Sequence, residues 1–258
     1  MGFLWMNRRD FLQLSALASI VPSTLLSMPV RYSDKDIYFS LADYECASRL
    51  LARLKRVQSI VGHGNFNIIS FDYTLLIPKY HRSVGRFQRD ELELFEKLFF
   101  INAANYGFYG EKVVDNITTV FNKKEMKKVP YTGHFLYQGD ALEHYEKIRR
   151  CVGDSIILTS GVRSIVKQMY LFLGKVFSVE GNLSLASSSL APAGYSYHGI
   201  GDFDVGKVGF GARNFTRDFE TTDEYKKLMD LGFVTIRYHE NNPFGVRYEP
   251  WHIKVVNI

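Results

Sequence analysis

The chain has 258 residues, 46% of them apolar and 23% charged, with a formal net charge of +5. That composition excludes a disordered chain and allows one sizeable core or two small ones. The mild basic excess suits an anionic partner. No Lys/Arg stripe with interleaved aromatics marks a nucleic-acid binder.

Asn7-Arg8-Arg9-Asp10-Phe11-Leu12-Gln13 precedes an apolar stretch, Leu14 to Leu26, broken by Pro22. This resembles a twin-arginine export signal, with Asn7 and Gln13 departing from its Ser/Thr and Lys positions. The stretch is Ser-rich and short of the roughly 20 apolar residues that span a bilayer. Residues 1–28 are therefore set aside as a signal peptide. The resemblance implies the bacterial periplasm or secretion, with the twin-arginine export machinery as a partner. Only two cysteines occur, Cys46 and Cys151, so no CxxC metal or redox motif is available. Export allows them one disulfide, and two buried thiols are the alternative.

Residues 29–135 are expected to form a mainly helical region. Ser40-Leu41-Ala42-Asp43 opens a helix with Leu41, Tyr44, Ala47, Leu51 and Leu54 at helical spacing, to about Ser59. Asn67–Ile77 alternates and is rich in β-branched and aromatic residues, which predicts one or two strands ended by Pro78. A helix follows from Arg89 to Tyr106 with Leu92, Phe95, Leu98 and Phe99 on one face, stopped by Gly107. Lys112–Thr119 reads as a short helix or strand, and Lys123–Lys128 as a solvated turn or helix face. His63, His81 and His134 have no partner at metal-ligand spacing and are expected to be structural or exposed.

Residues 136–258 carry the chemistry. Asp140–Arg150 predicts a helix and Ser155–Leu158 a buried strand. The turn Thr159–Ser164 then feeds a helix to about Val176. Arg163 thus sits where a strand hands over to a helix, either aimed at a ligand or capping a neighbour. Ser184–Ser189 reads as a loop and Phe203–Val205 as a strand with Asp202 and Asp204 on one face. A helix from Thr221 to Leu231, a strand over Phe233–Tyr238, a turn at Asn241–Gly245 and a last strand, His252–Val256, complete the chain.

Two segments stand out. Gly194–Gly206, GYSYHGIGDFDVG, places His198 in a glycine-rich turn followed by two acids; Glu249-Pro250-Trp251-His252 lies near the end. Zinc takes nitrogen and oxygen ligands in a tetrahedron, and catalytic zinc keeps one position for water. Two imidazoles and a carboxylate supply three ligands and lower the pKa of that water to about 7. Glu249, three residues before His252, is placed to move a proton, and Arg163 to meet negative charge on an attacked carbonyl.

These residues resemble the zinc D-alanyl-D-alanine carboxypeptidases and dipeptidases of the VanY/VanX type. Ser160-Gly161-Val162-Arg163-Ser164 with Gln168 is similar to that family's SGYRS…Q block, with Val162 for Tyr. Ala191–His198 is similar to its APPGxSxH, and Glu249-Pro250-Trp251-His252 is its EPWH. The family's HxxGxAxD would put an acid at Val205; with one residue fewer in the turn, Asp204-Val205-Gly206 aligns instead.

The resemblance implies an α+β domain over 136–258, a small antiparallel sheet with flanking helices in a Hedgehog-type metal fold. It implies one zinc per chain on His198, Asp204 and His252, with Asp202 the alternative acid. Glu249 and Arg163 would be catalytic, Gln168 would contact substrate, and Ser196 and Tyr195 would either contact substrate or, the favoured reading, support the turn. The implied activity is D-alanyl-D-alanine carboxypeptidase on peptidoglycan stem peptides or muropeptides, with zinc-bound water as nucleophile. Alternatives are an L-alanyl-D-glutamate endopeptidase and a non-catalytic cell-wall-binding module, although a module that only binds has no need of Glu249.

Overall fold

The computed structural model describes residues 33–256; the export signal expected over residues 1–28 lies outside them. The N-terminal region is helical. Helix α1, Leu41–Val61, starts where the Ser40 hydroxyl accepts the Asp43 N–H. It buries Cys46, Ala47, Leu50, Leu54 and Val57, a three-to-four-residue stripe. A single turn, α2 (His63–Phe66), follows.

The strands predicted over Asn67–Ile77 are replaced by helix α3, Phe71–Tyr80. Ser70 caps it by accepting the Tyr73 N–H, and Asp72 lies in its first turn. Phe71, Thr74 and Ile77 are buried, so helical spacing underlies what reads as alternation. Pro78 gives up one backbone bond in the last turn without ending the helix, since the His81 N–H still reaches the Ile77 carbonyl at 2.9 Å. Helix α4, Arg89–Phe100, ends earlier than its pattern suggests. A 3-10 turn, Ala103–Tyr106, continues to Gly107, whose φ of 95° suits glycine.

Lys112–Thr119 is neither helix nor strand. The Val113 and Val114 N–H groups both bond the Gly194 carbonyl, which braces the turn before His198. Lys123–Glu125 is a 3-10 turn leading into strand β1, Met126–Lys128, which pairs antiparallel with β2, Phe135–Tyr137.

Helix α5 is Asp140–Val152 and strand β3 is Ile156–Ser160. Helix α6, Ile165–Ser178, is capped by Ser164. The Ser184–Ser189 loop is instead a short helix, α7 (Leu183–Ser187): the Asn182 side chain accepts the Leu185 N–H, and the Ser187 hydroxyl is buried on the Tyr106 carbonyl. Strand β4 is Phe203–Lys207, helix α8 is Asp223–Met229 and strand β5 is His252–Ile253. The strand predicted over Phe233–Tyr238 reduces to one bridge, Ile236 to Ile253. The Arg237 N–H bonds the His252 carbonyl and the Lys254 N–H the Thr235 carbonyl, while the Arg237 side chain turns inward to meet Asp202.

The three-stranded sheet runs β3-β4-β5, antiparallel throughout. Its register sets Asp204 opposite Ser160 on one side and His252 on the other. An irregularity between Leu158 and Ser160 re-aims the end of β3 toward this point.

One apolar cluster runs from Phe39 to Val246 and joins α1, α4 and α6. A second, smaller one lies under the sheet and includes Tyr145, Phe203, Trp251 and Ile253. Each fully buried Phe or Leu stabilises the fold by about 1.5–3 kcal/mol. Cys46 is buried, Cys151 is exposed, and both are free thiols. No described helix is long and apolar enough to cross a membrane.

Candidate metal centre

The site is assembled by the sheet and one turn. His198 sits in the 3-10 turn Tyr197–Gly199 and is buried. Its Nδ1 donates to the Gly161 carbonyl at 2.9 Å, which leaves Nε2 as the free lone pair. Gly161 is required there, because a Cβ would lie 2.1 Å from the Phe135 carbonyl oxygen. Asp204 and His252 are cross-strand neighbours, and their side chains meet.

Asp204 Oδ1 lies 3.3 Å from His198 Nε2 and 3.1 Å from His252 Nδ1. Neither Oδ1 nor His198 Nε2 makes a hydrogen bond, although both are buried. Buried polar atoms that close without a bond are costly unless something else satisfies them. The ligand atoms of His198, Asp204 and His252 lie within 4.8 Å of one another. Two imidazole nitrogens and one carboxylate oxygen facing a common point are a donor set that fits zinc.

Asp202 is not part of that set. It takes the other face of His252, with Nε2 donating to Asp202 Oδ2 at 3.1 Å. Arg237 holds both Asp202 oxygens, and the Val255 N–H adds a bond at 2.9 Å. Asp202 therefore fixes the ring and tautomer that point Nδ1 at Asp204.

The electrostatics follow from burial and neighbours. Burial and then the Arg163 guanidinium push His198 down to about 4, so it is neutral at pH 7. Burial disfavours the Asp204 carboxylate, but His198 and Arg163 outweigh it and hold the group well below the usual range. Burial also opposes charge on His252, yet its two flanking carboxylates raise it to about 9. Glu249 is raised to about 7, chiefly by burial; His252 opposes the shift and Asp204 adds to it. Its Oε2 lies 3.8 Å from His252 Nδ1. A carboxyl that titrates near neutrality beside the donors can both take and return a proton.

A cavity of about 330 Å³ opens over these groups. Arg163 lines it, with Nε on the Ser160 hydroxyl at 2.8 Å and one terminal nitrogen on Asp204 Oδ2 at 2.7 Å. Ser196 and Gln168 line it too. Gln168 donates to the Ala191 carbonyl, and its buried Oε1 has no partner. Tyr195 does not line it. Its hydroxyl donates to the Ile101 carbonyl and accepts the Ala103 N–H, tying the His198 turn to the helical region, which is the supporting role of the two expected for it.

The sequence reading missed His63, His134 and Lys167, which line the cavity. His63 lies between two glycines and His134 follows one, the same setting that singled out His198.

No curated protein matches the chain. Residues 136–258 match the family model VanY: D-alanyl-D-alanine carboxypeptidase. That span, a little under half of the chain, holds the three candidate donors together with Arg163 and Glu249. Solved structures with some likeness include the LdcB LD-carboxypeptidase, 24% identical with a TM-score of 0.42 over 51% of this chain and 63% of that one. A Zn(II)-bound VanY D,D-pentapeptidase from a VanB-type resistance cassette is 23% identical, TM-score 0.38, over 52% and 79%. The VanXYg D,D-dipeptidase with a D-Ala-D-Ala phosphinate analog is 22% identical, TM-score 0.42, over 50% and 54%. The chain thus spans less than two thirds of the LdcB and VanXYg chains.

Proposed function

We propose that this protein is a zinc-dependent D-alanyl-D-alanine carboxypeptidase acting on peptidoglycan stem peptides outside the cytoplasm. The observation that carries the reading is the buried meeting of His198 Nε2, Asp204 Oδ1 and His252 Nδ1, two of them without hydrogen bonds, inside the family-matched span. In this reading those three residues hold one zinc, and Glu249 and Arg163 act on the substrate. When bound, zinc supplies Lewis acidity to the scissile carbonyl and to the attacking water.

Glu249, raised to about 7 by burial, accepts the proton of the attacking water and returns it to the leaving amine. Arg163 uses two nitrogens to hold Ser160 and Asp204, which leaves its other terminal nitrogen to face charge developing on the carbonyl oxygen. Asp202 keeps the His252 ring aimed. Ser196 and Gln168, on the cavity wall, position the peptide.

The test combines metal analysis with product masses from muropeptides. His252→Ala should lose its zinc and all hydrolysis. Glu249→Gln should keep zinc and lose about 10²- to 10⁴-fold in rate. Stoichiometric zinc in the first variant, or an unchanged rate in the second, sinks the assignment. Release of D-alanine identifies the carboxypeptidase; cleavage inside the stem identifies an endopeptidase.

A further inference from the structure

The cavity wall away from the donors is built by residues outside the usual peptidase chemistry. Lys167, in the first turn of α6, is only 6% exposed, yet no described carboxylate pairs with it. Its ammonium lies 5.8 and 5.6 Å from the Phe66 and Tyr170 ring centroids. A buried cation without a counter-charge is unfavourable in itself. Burial and then Arg163 pull Lys167 down only to about 8, so it stays largely charged at neutral pH.

His134 adds a directed donor. The Asn67 amide nitrogen donates to the Gly133 carbonyl at 3.0 Å, which fixes the amide's orientation. The same nitrogen lies 3.2 Å from His134 Nδ1, so Nδ1 accepts and the ring proton sits on Nε2. The His63 ring packs edge-on against His134, centroids 5.2 Å apart. This wall therefore carries an ammonium, an imidazole N–H and the neighbouring guanidinium. A metal cation is repelled there; an anion is not.

We infer that Lys167 and His134, with His63 at their side, form a subsite for a carboxylate of the peptide substrate, separate from the metal donors. His63 and His134 lie outside the family-matched span and Lys167 lies inside it. The carboxylate is either the free C-terminus or a side-chain acid nearby. The subsite rests on the peptidase reading for its ligand, but not for its anion preference.

The test uses zinc-loaded, full-length protein with Glu249→Gln as background, so that peptides bind without turnover. Four synthetic peptides ending in D-alanyl-D-alanine pair a Glu or a Gln before the dipeptide with a free or amidated C-terminus. Calorimetry should show Lys167→Met weakening the acid-bearing peptides about 10-fold or more, with the matched neutral peptide within about twofold. Lys167→Arg should retain most of the affinity. The pair that carries the loss, free versus amidated or Glu versus Gln, names the carboxylate. Equal weakening of charged and neutral peptides, or none, overturns the subsite.

If Lys167→Met melts well below the parent, Lys167→Gln is read in its place. If no peptide binds or is cleaved, the peptidase reading falls alone, and acetate decides the subsite through the His134 ring signals. A saturable shift in the parent that disappears in the Lys167 variant supports it; no shift overturns it.

Discussion

Two buried arginine–carboxylate pairs, one in each half of the molecule, show how differently the same chemistry is used. In the helical region Arg53 gives Nε and one terminal nitrogen to Glu91 at 2.8 and 3.1 Å, and the other to the Val84 carbonyl. Glu91 also accepts the Gln88 N–H, so every strong donor and acceptor of the pair has a partner. In the sheet region Arg163 satisfies one oxygen of Asp204 and leaves the other facing two imidazoles without a hydrogen bond. A saturated pair fastens helices together. An unsaturated one, held by strand register, marks the candidate metal centre.

Paired substitutions test that contrast most severely. Glu91→Gln should destabilise by about 3–5 kcal/mol, since it strands a buried guanidinium, and zinc content should stay as in wild type. Asp204→Asn should abolish zinc binding while lowering the stability of the metal-free protein by less than half as much. Chemical denaturation and metal analysis read both, and equal stability losses would break the distinction.

Asp202→Ala should show both effects at once. It strands Arg237 and frees the His252 ring, so stability falls by about 3–5 kcal/mol and zinc affinity by about 10- to 100-fold. Gly161→Ala is expected to be milder. The new methyl meets the Phe135 carbonyl and displaces the carbonyl that orients His198, at a cost of about 1–3 kcal/mol and a weaker metal site.

The last test is a pH dependence at His134. Burial, then His63, lower it to about 3 in the folded chain, against an ordinary value near 6.5. Above that ordinary value both states are neutral and the full stability is present. As pH falls below it the unfolded chain takes up the proton first, so stability is lost until about pH 3. Wild type should lose about 1.4 kcal/mol per pH unit more than His134→Asn between about pH 6 and 4, as read from urea midpoints. Parallel curves would show that His134 is not buried as described.

The candidate donors were legible in the sequence because their spacing and neighbours are local: His198 in a glycine turn, Asp204 at a strand start, His252 after Glu249-Pro250-Trp251. Asp202 was placed on the right strand face but on the wrong side of its job. Which face of an imidazole an acid meets depends on Arg237, a partner 35 residues away. Phe71–Tyr80 was misread because Pro78 and β-branched neighbours outweighed the Ser70 cap. The cavity wall of His63, His134 and Lys167 was invisible, since it joins three segments with no common spacing.

The Tyr195 hydroxyl has a practical consequence. It clips the turn bearing the first imidazole onto the peptide groups of Ile101 and Ala103, and α6 shares its apolar face with α1 and α4. Trimming the polypeptide to the stretch that shares a sequence profile with known carboxypeptidases would discard that clip and uncover greasy surface. Anyone expressing the shortened form should recover sticky, metal-poor material, and the full chain, with its first-half helices in place, should not behave so.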